Sequence, residues 1–146
     1  MTVGLSQFAL ANSVEFSTSS TSWQTVAQQT LQLGDDALHY ADRLIAAIEL
    51  RSSSASYSYT AFARAVVRER DPHSGAVLNT WTISVNSDDN SPDGESYDTQ
   101  TGTQTIGAYF RADLEYEIEI QARQEDGGYT AYVRDSNITT TARRVL

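Results

Sequence analysis

Ten consecutive residues, LEYEIEIQAR, alternate without a break: Leu114, Tyr116, Ile118, Ile120 and Ala122 stand against Glu115, Glu117, Glu119, Gln121 and Arg123. A helix would scatter these two sets around its circumference. A strand collects each on one face, so the segment has a buried side and a wet side. The same period of two runs through AVLNTWTISVN, with Val77, Trp81, Ile83 and Val85 on one side and Thr80, Thr82 and Ser84 on the other. It recurs in SYTAFARAVVRER, where Tyr59, Ala61, Ala63, Ala65 and Val67 oppose Phe62, Arg64, Val66 and Arg68. Small residues on that first face predict close approach by a second sheet.

RSSSAS, DPHSG, NSDDNSPDGES and QEDGG separate these runs, and each carries residues that set turn dihedrals. YTAYVRD, ITTTARRVL and TQTGTQTIGAYF add further strands, the last with Ile106, Ala108 and Phe110 inward. Seven to eight strands in this order predict an all-β antiparallel sandwich. GDDALHYADRLIAAIELRSSS reads two ways. Leu38, Ala41, Leu44, Ile45 and Ile48 have helical spacing behind Asp35 or Asp36, whereas Tyr40, Leu44, Ala46, Ile48 and Leu50 share one face of a strand. The strand is favoured, since a lone helix needs a bare sheet face to receive it. FSTSSTSWQTVAQQTLQLGDD is expected as a long bent strand, with Trp23, Val26, Leu31 and Leu33 inward and a bulge near Ala27–Gln29.

The 146 residues include no cysteine, so disulfides and thiolate zinc sites are excluded and packing must hold the fold. Asp and Glu number 19 against 10 basic residues, and the net charge of -9 repels phosphate backbones and anionic lipid headgroups. Neither nucleic acid nor membrane is expected as a partner. Every basic residue is arginine, a cation suited to interfaces, and GC-rich coding or a salt-adapted host produces the same bias. MTVGLSQFALANS has no basic n-region and too short an apolar run for a signal peptide, and nothing approaches the roughly 20 apolar residues of a membrane span.

The succession STSSTSWQTV, LGDDALHYADRLIAAIELRSSS, YTAFARAVVRERDPHSG, YFRADLEYEIEIQARQEDGGYTAYVRD and ITTTARRVL resembles the jelly-roll domains of tailed-virus structural proteins, found in head decoration proteins, head fibres and tail appendages. The likeness runs from Glu15 to Leu146. It implies a jelly-roll-like sandwich at the virion surface, with the major capsid protein or another virion protein as partner. It also implies a homotrimer, in which Arg64, Arg68 and Arg111 meet acidic residues of a neighbour. No catalytic residue and no cofactor come with the resemblance, and no enzymatic activity is expected. Residues 1–12 are expected to form an N-terminal arm that docks on the particle, and residues 13–146 a single sandwich domain.

Other chemistry has weaker support in the residues. Asp89, Ser91, Asp93 and Gly94 fall at the first, third, fifth and sixth places of a calcium loop, but Gln100 stands where a bidentate glutamate is needed and no helices flank it. The loop reads as a solvated hairpin tip, with Asp89 and Asp93 as its metal candidates. Glu115, Glu117 and Glu119 recur at roughly 6–7 Å along one strand face, within the separations of glycosidase carboxylates, yet such a row is ordinarily a solvated face. His39 and His73 are far apart in sequence, no serine lies in a G-x-S-x-G elbow, and Asn137 begins an N-I-T sequon. Trp23, Trp81 and the eight tyrosines would suit a sugar-binding platform, which makes a carbohydrate-binding or adhesive module the alternative.

Overall fold

The computed structural model describes residues 7–10, 15–32, 38–53, 60–86, 98–140 and 143–144. These form β1 (Gln7–Leu10), β2 (Phe16–Thr18), β3 (Gln24–Gln32), β4 (Leu38–Ser52), β5 (Ala61–Arg70), β6 (Val77–Asn86), β7 (Asp98–Arg111), β8 (Glu115–Gln124), β9 (Ala131–Thr140) and β10 (Arg143–Arg144). All pairings among them are antiparallel. One sheet has the order β3-β8-β5-β6. In the other, β9 and β4 are central, β7 flanks β4, and β1 and β2 pair with successive lengths of β9, Ser136–Thr139 and Ala131–Val133. β10 pairs with β4 at His39 and Tyr40, on the edge that β9 occupies further along. Ten strands therefore fill eight positions, (β1/β2)-β9-β4-β7 over β3-β8-β5-β6, which is jelly-roll order. Gln7–Leu10, within the segment expected as an arm, is one of these strands.

Alternation gives each sheet one inner face. Ala61, Ala63, Ala65 and Val67 of β5 and Ile118, Ile120 and Ala122 of β8 pack against Leu44, Ala46, Ile48 and Leu50 of β4 and Val133 and Ile138 of β9. Each buried aliphatic of Ile or Leu size stabilises the fold by about 1.5–3 kcal/mol. Trp81, Phe110 and Tyr116 close one end as edge-to-face rings, with centroids 5.7 and 4.8 Å apart. Glu69 continues the inward phase of β5 and is buried there. Its carboxylate accepts hydrogen bonds from the Tyr116 hydroxyl and Asn79 Nδ2, both at 2.9 Å, while Tyr116 Oη accepts the Arg111 N–H at 2.8 Å. Burial pushes the Tyr116 hydroxyl far above its ordinary pKa, Glu69 adds to the shift, and the Arg111 N–H opposes it.

Register shifts explain where the expected faces fail. β4 is a strand, but Asp42 and Arg43 are both exposed, so its inward set is Ala41, then Leu44, Ala46, Ile48 and Leu50, with Tyr40 only half-buried. Opposite, Gly107 has a φ of 52° beside the shift, a conformation that costs glycine little. In β3 the extra residue is Val26, between Thr25 and Ala27, slightly before the expected place. In β6 it is Leu78, which leaves Val77 45% exposed rather than inward. The β5–β6 turn follows its sequence chemistry: Asp71 Oδ1 accepts the N–H groups of His73 and Ser74, and Gly75 takes a φ of 76°. The His73 N–H is the main reason that the Asp71 carboxyl titrates below its ordinary value.

At Gly102 the two sheets come close together at the β6–β7 corner. A Cβ there would lie 2.8 Å from Ile83 Cγ2, 3.0 Å from the Ser84 carbonyl oxygen and 3.1 Å from Val85 Cγ1. Gly102→Ala is therefore expected to cost about 1–3 kcal/mol by overpacking, instead of the gain that alanine usually brings to a strand; a urea titration in which the variant matches or exceeds the parent would refute the close approach. Ile118→Ala should lose about 2–5 kcal/mol through transfer and cavity terms, and Glu117→Ala less than about 1 kcal/mol. Equal losses at the two positions would mean that β8 presents the opposite face.

Candidate functional site

The outer face of the β3-β8-β5-β6 sheet carries an interlinked set of polar and aromatic side chains. Arg68 pairs with Glu117 across the β5–β8 ladder and Arg64 with Gln121, so the outward sets of both strands stand side by side. Arg68 Nη1 donates to Glu117 Oε1 at 3.0 Å and to Glu119 Oε2 at 2.7 Å. Gln121 Nε2 donates to the same Glu119 oxygen at 2.9 Å, and Gln121 Oε1 accepts from Arg64 Nε at 2.7 Å. One guanidinium thus spans two carboxylates and one amide relays to a second guanidinium. The bond to Glu119 is the largest cause of the raised Arg68 pKa, whereas burial, followed by Arg68 and Arg123, lowers that of Arg64. So dense is the cover that Val66 is 3% exposed and Gln121 9% on an outward face.

An aromatic margin adjoins this network. Arg64 Cζ lies 4.3 Å from the Trp23 ring centroid, and Arg123 Cζ lies 5.2 Å from Trp23 and 4.2 Å from Phe62. Trp23, expected inward, instead sits beneath two guanidinium groups because it precedes the Val26 bulge and lies outside the phase of Ala27 and Gln29. Arg123 and Gln121 were missed as site residues. Their signal was present in the matching alternation of β5 and β8, but only the strand register brings them beside Arg64.

The predicted candidates disperse. Arg64 and Arg68 share the outer face, whereas Arg111 ends β7 and forms a two-bonded pair with Asp113, Nε–Oδ1 at 3.0 Å and Nη2–Oδ2 at 2.7 Å. Asp89 and Asp93 lie outside the described residues. Among the described residues no group of three or more His, Asp or Glu side chains is placed to hold a metal. His73 is exposed in the β5–β6 turn, His39 lies in β4, and Asn137 is inside β9, paired on one side with Ala9 and on the other with Ala47. Trp81 is partly buried against the core as expected. On the opposite sheet, Tyr109 is 53% exposed and meets Tyr40 edge-to-face at 5.1 Å.

No protein-family model matches the chain, and no curated protein does. Among solved structures it is similar to that of the infectious bursal disease virus Gx strain, with 12% identity, a TM-score of 0.45 and coverage of 95% of this chain and 31% of that one. It is also similar to the CBM22-1–GH10 modules of Clostridium thermocellum endo-1,4-β-D-xylanase 10B complexed with xylohexaose, with 9% identity, a TM-score of 0.42 and coverage of 92% and 27%. A third is the carbohydrate-binding module CBM36 in complex with calcium and xylotriose, with 13% identity, a TM-score of 0.35 and coverage of 87% and 98%. The chain spans less than a third of the first two. Likeness at these TM-scores identifies neither a family nor a ligand.

Removing Arg68 leaves Glu117 and Glu119 facing each other on one strand with their shared cation gone. Arg68→Ala is expected to destabilise by about 1–3 kcal/mol, and added salt should restore part of the loss. Arg111→Ala, which breaks an exposed pair, should cost within about 1 kcal/mol. Denaturant titrations at low and high salt check both; an Arg68→Ala loss that is negligible or indifferent to salt would show that the network does not hold the face.

Proposed function

We propose that this chain is a structural protein of a tailed-virus particle, decorating or stabilising the capsid or forming a subunit of a head or tail appendage. The observation that carries this reading is the interlocked outer face of the β3-β8-β5-β6 sheet, where Arg68, Glu117, Glu119, Gln121 and Arg64 engage one another. Such a panel serves shape and rigidity, since its charges already have partners, and the sequence resemblance points the same way. In this reading the chain is a homotrimer on the virion surface, bound to the major capsid protein or another virion protein, with no catalytic role and no cofactor. Gln7–Leu10, in the segment expected to dock on the particle, is also paired through its backbone with β9.

A carbohydrate-binding module is the second reading, favoured by the exposed Tyr109 beside Tyr40. Trp23 supports it less, because guanidinium groups already stack on its ring.

Two measurements separate them. In purified particles from the source of the gene, quantitative mass spectrometry should find the chain at a fixed copy number relative to the major capsid protein. Its absence from particles would overturn the virion reading. In affinity electrophoresis through gels containing xylan or other soluble polysaccharides, the virion reading expects unchanged mobility; retardation that Tyr109→Ala abolishes would establish the module instead.

A further inference from the structure

Charge is distributed across the β3-β8-β5-β6 sheet in an unusual way. The two central strands, β5 and β8, carry four charged residues each, and the two edge strands, QTVAQQTLQ and VLNTWTISVN, carry none and no proline. Sheets ordinarily guard their edges with charge or proline, because an edge displays a row of unmade backbone hydrogen bonds. Among the described strands, β3 pairs only with β8 and β6 only with β5; Gly102 of β7 abuts β6 at Ile83–Val85, so the freer length of β6 is Val77–Thr82. Val77 and Leu78, at 45% and 51% exposure, add apolar surface to the open end of β6.

What suits such edges is an extended, uncharged backbone, and this chain supplies it. Four antiparallel strands leave β3 and β6 running in opposite directions, so a second copy placed alongside in the same orientation brings its β3 antiparallel to β6. The strands match in length, 9 and 10 residues. Copies with a net charge of -9 repel over most approaches, but here the meeting strands bring no charge.

We infer that β6 of one copy pairs with β3 of the next, head to tail, and that three copies close the sheets into a ring. This rests on the trimer in the reading proposed above. Closure removes every open edge of this sheet, which head-to-tail contact otherwise extends into a filament. The inner face is packed on the β9-β4 sheet, so the outer face lines the ring. Arg68 already bridges Glu117 and Glu119 there, and Arg70 adds a second cation at Glu117, which lets three copies converge on the axis with those two carboxylates balanced.

Light scattering and hydrogen–deuterium exchange on the full chain test this. The expected particle has three times the 16.0 kDa of one chain, with slow exchange along both β3 and β6. Leu78→Lys/Thr80→Lys on β6, or Thr25→Lys/Gln28→Lys on β3, should each give a monomer with an unchanged far-ultraviolet spectrum, and Thr101→Lys/Thr103→Lys on β7 should leave the trimer intact. A parent that is a monomer, a dimer or an open polymer overturns the ring, and so does a trimer whose alternate β3 and β6 amides exchange fast. That last outcome leaves the virion reading standing; a protected ring in a chain missing from particles does the reverse.

Discussion

The β5–β8 ladder fixes both faces of the molecule at once. Inward, its fully buried Ala61, Ala63, Ala65 and Ala122 allow β4 and β9 to approach, and Ile118 and Ile120 fill the space that the alanines leave. Outward, the same register sets Arg68 against Glu117 and Arg64 against Gln121. A slip of one residue would turn the isoleucines to solvent and the glutamates into the core, so each face specifies the register on which the other depends. Electrostatics here adds less to stability than to specificity, because the partly exposed network contributes less than the whole apolar set that a wrong register would lose.

The strict phase of β5 has a cost at Glu69, which it carries into the interior. A buried carboxylate is tolerated only when its oxygens find donors. Tyr116 from β8 and Asn79 from β6 provide them, and the Arg111 N–H completes the chain at the end of β7. Four consecutive strands of the fold are tied together at this point. A Tyr116 hydroxyl held un-ionised by burial suits that donor role, since ionisation would set two anions side by side.

Legibility in the sequence followed the constancy of the phase. β8 keeps one phase throughout, and Leu114, Tyr116, Ile118, Ile120 and Ala122 are buried as its alternation predicts. β4 imitated a helix because the adjacent exposed Asp42 and Arg43 shift its inward set from Ala41 to Leu44, a step of three within a run otherwise spaced by two. Trp23 and Val77 were misplaced for the same reason, each lying beyond an extra residue, Val26 or Leu78, that the composition of the strand does not announce. Arg64 and Arg68 could be assigned to a common outward face from β5 alone. That Gln121 and Arg123 join them depends on cross-strand register, and register arises from the fit of whole faces rather than from any local residue.

A fold specified in this way constrains pattern far more than identity. An inward position of β5 needs a small side chain, and an outward one a partner across the ladder. Many sequences satisfy such rules, so likeness between chains of this kind lies in the order and phase of strands. The same holds for contacts made through strand edges, where backbone groups supply the bonds and the side chains need only not obstruct them. In the proposed ring, β3 and β6 are where a second chain adds backbone hydrogen bonds, since among the described strands each of them is paired on one side only.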